Sequence, residues 1–117
     1  MPRFVILEHD HPALHWDLML EAGDALQTWR LARAPTPGCA IEATALPDHR
    51  RIYLDYEGPV SGNRGTVCRW DAGLFTETAA STAQHRVLVL EGVRVRGCVE
   101  LRFDNRKWRF LWNARPD

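Results

Sequence analysis

The sequence predicts an all-β domain: a small closed or nearly closed antiparallel β-barrel of about eight short strands with little helix. Two observations lead to this fold class. Short β-prone runs, many of them alternating between apolar and polar residues, recur along the whole chain. Brief turns rich in glycine, proline or aspartate separate them, and no long linker or internal repeat intervenes. Closure into a barrel would also remove the exposed strand edges of so short a chain.

Length and composition indicate a single domain over residues 1–117. The apolar content of 45% and the charged content of 26% are ordinary for a globular protein. No apolar run approaches the roughly 20 residues that span a bilayer, and the first residues lack a signal-peptide pattern. We therefore expect a cytoplasmic monomer without membrane contact. The three cysteines form no Cys-x-x-Cys pair, so we expect reduced, mostly buried thiols.

The first third of the chain predicts three strands. Arg3–Glu8 is a β-prone run that Asp10-His11-Pro12 interrupts, because proline lacks a donor and restricts the residue before it. His15–Glu21 alternates and ends at the turn Ala22–Asp24. Ala25–Leu31 then reads as the partner strand of a hairpin.

The middle of the chain is less regular. Residues 32–38 form a proline-containing loop, and Cys39–Leu46 fits either a weak strand or a single helical turn. The polar residues 47–51 lead into Ile52–Tyr56, which predicts another strand. Glu57–Gly65 is a glycine-rich loop that lacks the spacing and the Lys-Ser/Thr ending of a phosphate-binding P-loop.

The last half predicts four more strands. Thr66–Asp71, Arg86–Glu91, Arg94–Phe103 and Lys107–Trp112 all have strand patterns, whereas Leu74–Gln84 predicts a surface loop. The last strand carries an aromatic stripe on one face, which we assign to the barrel core because a barrel needs large inward-facing residues. The stripe consists of Trp108, Phe110 and Trp112.

Net charge is zero, which argues against strong non-specific attraction to nucleic acid. The charges are unevenly placed, however. Residues 1–29 hold one arginine and five acidic residues, and residues 86–117 hold seven arginines and Lys107 against four acidic residues. An acidic beginning suits a cation site, and arginine is the side chain that best grips phosphate.

A candidate metal site lies in the second predicted strand. Alternation places His15 and Asp17 on one face and Leu18 and Leu20 on the other, and His9 would arrive from the preceding strand. Two imidazoles and one carboxylate suit Mn²⁺, Zn²⁺ or Fe²⁺ with coordination positions left open. The same spacing also fits histidines of a polar turn and an ordinary strand, so both interpretations stay open on spacing alone.

Several motifs give the chain a wider resemblance. Arg3-Phe4-Val5 and His9-Asp10 precede Leu14-His15-Trp16-Asp17-Leu18-Met19-Leu20-Glu21. Leu26-Gln27-Thr28-Trp29-Arg30-Leu31 follows, then Asp48–Gly58 with His49, Tyr53 and Glu57, and then Gly65–Gly73 with Trp70-Asp71. In order and spacing these resemble the 3′-phosphoesterase module of bacterial DNA ligase D, which also exists as small free-standing proteins.

The resemblance implies a β-barrel enzyme that uses Mn²⁺ to trim 3′-phosphates or ribonucleotides from DNA ends during repair. It implies that His9, His15 and Asp17 hold the metal, with Zn²⁺ or another divalent ion as the alternative. His49 and Tyr53 correspond to the family's phosphate-contacting residues, and we assign them catalytic roles. The implied partners are DNA or RNA-tipped DNA 3′ ends and a repair ligase or polymerase.

Several positions depart from the family pattern. Met19 stands where the family has an arginine, and Pro47 replaces a glutamate. A thioether cannot neutralise a phosphate, so positive charge would have to come from elsewhere. We assign phosphate binding to Arg33, which occupies the place of a family lysine, and to Arg50 and Arg51.

Three functions remain compatible with these residues. The first is the metal-dependent phosphoesterase just described. The second, favoured by Met19 and Pro47, is a catalytically weak or inactive relative that binds nucleic-acid ends or a repair partner. The third is a small barrel that binds another phosphorylated small molecule, which the zero net charge and short length favour.

Overall fold

The computed structural model describes residues 2–115 and contains nine β-strands and one 3₁₀ helix within that range. Met1, Pro116 and Asp117 of the predicted domain lie outside the described residues. The 3₁₀ helix is Arg51–Leu54, and no helix among the described residues is long and apolar enough to cross a membrane. The strands are β1 Arg3–His9, β2 His15–Ala22, β3 Ala25–Leu31, β4 Ala40–Arg50, β5 Gly58–Pro59, β6 Thr66–Glu77, β7 His85–Gly92, β8 Arg96–Asp104 and β9 Lys107–Ala114.

Eight of the strands close into an antiparallel barrel. Their order is β1-β2-β3-β4-β9-β8-β7-β6, and β6 returns to pair with β1. The short β5 pairs with β6. The predicted all-β barrel is therefore confirmed, and its closure gives each of the eight strands two neighbours within the ring.

The barrel interior is the main hydrophobic core, because its cluster of buried side chains draws on all eight strands of the ring. Phe4 and Phe110 are among its largest fully buried members. The predicted aromatic stripe on β9 belongs to it: Phe110 and Trp112 are buried, and Trp108 packs against the cluster. Large inward-facing rings fill the interior of a small barrel.

A second, smaller core lies on the outer face of the sheet β6-β1-β2-β3. It contains Val5 and Leu7 of β1 and Met19 of β2, and Leu54 of the 3₁₀ helix covers them. Phe4, Val5, Ile6 and Leu7 are consecutive and all buried, because this part of the sheet is covered on both faces. We call residues 51–56, which include this helix, the covering segment. It encloses a protected space outside the barrel, next to β2.

The covering segment corrects one prediction. Ile52–Tyr56 was predicted to be a strand, but Arg51–Leu54 forms a 3₁₀ helix. The ring of strands is already closed beneath it, so no free edge of β1 or β2 is left for it to pair with. Instead it presents Leu54 to the outer core, with Tyr53 and Tyr56 beside it, and leaves Ile52 57% exposed.

Two strands extend further than their sequence patterns indicate. The ambiguous Cys39–Leu46 segment belongs to β4, which runs on to Arg50 and accommodates Pro47 at a register shift, where a missing backbone donor is tolerated. Strand β6 continues to Glu77 because it pairs with β7 there, so only the later part of the predicted loop Leu74–Gln84 lies outside a strand.

The three cysteines are free, as predicted, but Cys39 and Cys68 are exposed and not buried.

A buried carboxylate organises the turn between β7 and β8. Asp71 of β6 is 3% exposed and accepts four backbone hydrogen bonds. Its Oδ1 accepts from the amides of Ala72, Val93 and Arg94, and its Oδ2 accepts from Val95 at 2.7 Å. The aspartate of the Trp70-Asp71 motif thus satisfies a turn whose amides have no strand partner.

Candidate metal centre

Three potential metal ligands meet at one end of the β1–β2 pair. His9 and His15 are directly opposite each other in the antiparallel register, and Asp17 follows two residues later on the same face of β2. Asp17 Oδ2 lies 3.3 Å from His15 Nε2 and 4.0 Å from His9 Nδ1. One ligand atom from each residue lies within 4.8 Å of the others. Ligand atoms bonded to one ion at about 2.1 Å stand roughly 3 to 4 Å apart, so modest side-chain rotations would close this set around an ion.

Backbone carbonyls orient both imidazole rings. His9 Nε2–H donates to the carbonyl of Arg64 at 2.7 Å, and His15 Nδ1–H donates to the carbonyl of Ala13 at 2.9 Å. A carbonyl only accepts, so these bonds require the proton on the outer nitrogen of each ring. The inner nitrogens are thereby left to face Asp17, as in metal-binding histidines whose second nitrogen donates to the surrounding protein.

The three side chains His9, His15 and Asp17 together favour a positive charge between them. In the neutral rings, the lone pairs of His9 Nδ1 and His15 Nε2 both point toward an Asp17 carboxylate that can only accept. His15 is 5% exposed and Asp17 3%, so water screens them little. In addition, Asp17 Oδ1 is buried and has no hydrogen-bond partner among the described residues. Buried acceptors are rarely left unpaired, and a divalent cation would satisfy all three groups at once.

The triad opens onto a cavity of about 290 Å³ between the outer face of the barrel and the covering segment. Its apolar walls include Leu7, Met19 and Val67, which belong to the outer core. The polar residues that line it are His9, His11, Asp17, Arg30, His49, Tyr53 and Arg64.

The two predicted catalytic residues line the same cavity. His49 is close to the end of β4 and Tyr53 lies in the 3₁₀ helix, with their ring centroids 6.0 Å apart. His49 Nδ1–H donates to the carbonyl of Pro47 at 2.9 Å, which leaves Nε2 available to a ligand. The fold therefore brings His49 and Tyr53 to the cavity that His9 and Asp17 also line, although they come from separate segments. His15 does not line the cavity itself but lies 3.3 Å from Asp17.

The three predicted phosphate-binding arginines do not line this cavity. Arg33 is exposed in the loop after β3, and Arg50 lines shallower depressions beside the cavity. Arg51 pairs with Glu21 and donates to the carbonyl of Gly23. The pKa of Glu21 is lowered, first because the backbone amide of Arg3 donates to it and also because of the Arg51 guanidinium. Arg51 is thus engaged away from the candidate site.

Sequence reasoning missed Arg30, which lines the cavity from β3. A usable signal was present. The turn at Gly23-Asp24 pairs Ala22 with Ala25, and counting back along the hairpin pairs Asp17 with Arg30. Residues directly opposite each other in an antiparallel pair point to the same face.

The loop before β2 also contributes to the site. His11 is half-buried and lines the cavity, with its ring centroid 6.5 Å from that of His9. Asp10 Oδ1 accepts from the amide of Thr66 at 2.7 Å and ties this loop to β6. A Cβ at Gly65, whose φ is +78°, would collide with Asp10 Oδ1 and His11 Cβ. Glycine at that position lets the two segments close over the site.

Comparison with known proteins agrees with this geometry. The family model described as the DNA Ligase D 3′-phosphoesterase domain matches residues 7–102. The chain belongs to this family. The matched residues include His9, His15, Asp17, His49 and Tyr53, and the resemblance inferred from the sequence motifs is confirmed.

This chain is similar to the "Multifunctional non-homologous end joining protein LigD" of Pseudomonas aeruginosa. The two are 32% identical over 79 residues, which cover 63% of this chain. The match covers 9% of the length of the relative, so the chain corresponds to a small part of that protein.

Proposed function

We propose that this family member is a metal-dependent phosphoesterase that removes 3′-phosphates or 3′-ribonucleotides from DNA ends during end repair. We further propose that Mn²⁺ is its preferred ion, with Zn²⁺ or another divalent metal as the alternative, and that His9, His15 and Asp17 hold it. The observation that carries the proposal is that this triad adjoins the cavity lined by His49 and Tyr53, to which it contributes His9 and Asp17. A DNA substrate would place the activity in the cytoplasm, with a repair ligase or polymerase acting on the same end.

Each group has a role that its position allows. A bound divalent ion would polarise the phosphoryl group and lower the pKa of a water molecule. The Tyr53 hydroxyl can donate a hydrogen bond to a phosphate oxygen. His49 Nε2 faces away from the Pro47 carbonyl and can exchange a proton with the leaving oxygen or bind the phosphate. His9 and His15 would offer their inner-nitrogen lone pairs to a bound ion, because their outer N–H groups donate to the carbonyls of Arg64 and Ala13.

The size of the cavity favours a chain end as substrate. A volume of about 290 Å³ accepts a terminal phosphate and part of a sugar, but not the body of a duplex. The triad lies on the outer face of the barrel beneath the covering segment, so an internal phosphodiester of intact DNA would have to bend sharply to reach it. A terminal 3′ group can enter directly.

The proposal is tested with a primer–template that ends in a 3′-phosphate or in a single 3′-ribonucleotide. We expect Mn²⁺-dependent conversion of both ends, loss of turnover in chelator, and loss of turnover in the variant His15→Ala. His49→Ala should lower kcat by about 100-fold or more, which is the usual contribution of a positioned acid or base. Product ends are resolved by denaturing gel electrophoresis.

His85→Ala is the matched histidine control, because His85 pairs with Glu100 at 2.6 Å on β7 and β8, outside the cavity. It should retain wild-type turnover. Turnover that persists in both chelator and His15→Ala would contradict a metal-dependent phosphoesterase at this site.

End binding without turnover is a second candidate function. It is favoured by Met19, which puts an apolar side chain on the cavity wall where the family pattern has a cation. Metal-dependent binding of a 3′-phosphorylated end with no product would select it. Binding of mononucleotides in place of a recessed 3′ end would instead indicate a small-molecule phosphate site.

A further inference from the structure

We infer that Arg30 binds the substrate phosphate from strand β3, opposite the metal, and that it adapts the site to a terminal phosphomonoester. This inference rests on the proposed function. It names Arg30 as the positive group that takes the place of the family arginine, whose position is occupied by Met19 in this chain. It differs from the sequence-based assignment of phosphate binding to Arg33, Arg50 and Arg51.

The hairpin places Arg30 at the centre of the site. Asp17 and Arg30 are direct partners across β2 and β3, so both side chains leave the sheet on its outer face. Arg30 Nε lies 3.9 Å from Asp17 Oδ1, which is too long for a hydrogen bond but close enough for a third group to bridge the two sides. Two residues further along β2, Met19 pairs with Thr28 and contributes to the apolar wall of the cavity.

Beyond its long ion pair with Asp17, the Arg30 guanidinium makes no hydrogen bond among the described residues, whereas its neighbours are engaged. Arg30 Nε is buried and has no hydrogen-bond partner within the described part of the chain. Arg64 lines the same cavity, but its guanidinium donates to the carbonyl of Ser61 at 2.7 Å and to the Ser61 hydroxyl at 3.1 Å. Arg51 is paired with Glu21. Its side chain being 41% exposed, Arg30 also remains open to a ligand that enters from solvent.

Electrostatics indicate what that ligand carries. A guanidinium beside a cation site repels the metal, and the single charge of the Asp17 carboxylate offsets only part of this repulsion, so the arrangement favours a further anion between the two positive charges. A divalent ion, two neutral imidazoles, the Asp17 carboxylate and the Arg30 guanidinium sum to a charge of about +2. A phosphomonoester carries about −1.5 to −2 near neutral pH. A planar guanidinium can also contact two phosphate oxygens at once.

The experiment compares the wild-type protein with Arg30→Met, which retains an apolar stem, and Arg30→Lys, which retains the charge. Binding of 3′-phosphorylated and 3′-hydroxyl oligonucleotides is measured by stopped-flow fluorescence anisotropy in Mn²⁺, before the 3′-phosphate is converted, and Mn²⁺ affinity by isothermal titration calorimetry. Arg109→Met is the matched control for general loss of positive charge, since Arg109 is exposed on β9 and lines no part of the cavity. Circular dichroism checks that each variant is folded.

We expect Arg30→Met to lower the preference for the 3′-phosphate by about 10- to 100-fold, the range of a charge-assisted hydrogen bond to phosphate. Arg30→Lys should restore part of it, and Arg109→Met should leave it unchanged. Mn²⁺ affinity of Arg30→Met should stay the same or rise, because a repelling charge is removed.

Two results would overturn the inference: an unchanged 3′-phosphate preference in Arg30→Met, or a tenfold loss of its Mn²⁺ affinity, which would make Arg30 a positioning residue for Asp17. A wild-type protein that prefers 3′-phosphate but does not cleave it would overturn the proposed phosphoesterase and leave Arg30 supported by the binding data. A wild-type protein without any 3′-phosphate preference would overturn both.

Discussion

Asp17→Asn is expected to weaken Mn²⁺ binding by about 100-fold or more, and to abolish metal-dependent turnover. The substitution keeps the size of the side chain but removes the one negative charge among the three potential ligands. An amide oxygen is a weaker ligand for a transition ion than a carboxylate. Isothermal titration calorimetry with Mn²⁺ measures the effect directly.

The same substitution should not destabilise the metal-free protein. Among the described residues, Asp17 Oδ1 is buried without a hydrogen-bond partner, and the His15 tautomer that donates from Nδ1 to the Ala13 carbonyl turns its Nε2 lone pair toward Asp17 Oδ2 at 3.3 Å. An asparagine amide can donate to His15 Nε2 and carries no charge to desolvate. We therefore expect the apo variant to unfold at the same temperature as the apo wild type, or higher.

Addition of Mn²⁺ should increase the difference in unfolding temperature between the wild type and Asp17→Asn. An ion at 100 times its Kd stabilises a folded protein by about 2.7 kcal/mol, which raises the unfolding temperature of a domain of this size by roughly 10 °C or more. Only the wild type should show this rise. Asp55→Asn is the control, because Asp55 is exposed, pairs with Arg3 at 2.6 Å and lies outside the cavity. Undiminished Mn²⁺ affinity in Asp17→Asn would show that the ion binds elsewhere.

Asp71→Ala is expected to lower the free energy of unfolding by about 3 kcal/mol or more. The carboxylate accepts four backbone hydrogen bonds, including three from Val93, Arg94 and Val95 in the β7–β8 turn. Hydrogen bonds to a charged group contribute about 1.5 to 3 kcal/mol each, and part of the loss is recovered where freed amides reach water. Urea unfolding followed by tryptophan fluorescence gives the change.

Two further variants test this explanation. Asp71→Asn should be intermediate in stability, because its amide group retains one acceptor oxygen but turns a donor toward the backbone amides. Asp48→Ala should be nearly neutral, since Asp48 is exposed near the end of β4. A loss below about 1 kcal/mol in Asp71→Ala would mean that the turn forms without the carboxylate.

Asp17 and Asp71 show how a buried aspartate in a binding site differs from one with a structural role. Both are 3% exposed. Asp71 has its oxygens filled by backbone donors, so its loss costs stability. Asp17 has one oxygen without a hydrogen-bond partner in the described part of the chain, beside two histidines, so its loss should weaken metal binding and leave stability unchanged. The difference lies in their partners, and neither burial nor residue type reveals it.

The barrel was predictable because local patterns repeat across the chain. Alternation on β2, the turn at Gly23-Asp24 and the aromatic stripe on β9 each depend on near neighbours, and the structure agrees with all three. The failures are non-local. Ile52–Tyr56 has the composition of a strand, yet closure of the ring left it no edge, and it became a 3₁₀ helix over the outer core. Likewise, β6 reaches Glu77 only because β7 pairs with it there.

The sequence by itself determined which side chains of β2 share a face, because strand periodicity is a local property. His15 and Asp17 therefore had to lie together, and the family motifs named His9, His49 and Tyr53 as their companions. The hairpin register that sets Arg30 opposite Asp17 could likewise have been counted from the sequence. Only the tertiary structure decided that this face is the outside of the barrel, that the 3₁₀ helix closes a cavity over it, and that Arg51 is taken up by Glu21 instead of lining that cavity. The physical reason is that these outcomes depend on packing between segments that are distant along the chain, whereas strand periodicity and hairpin register are local.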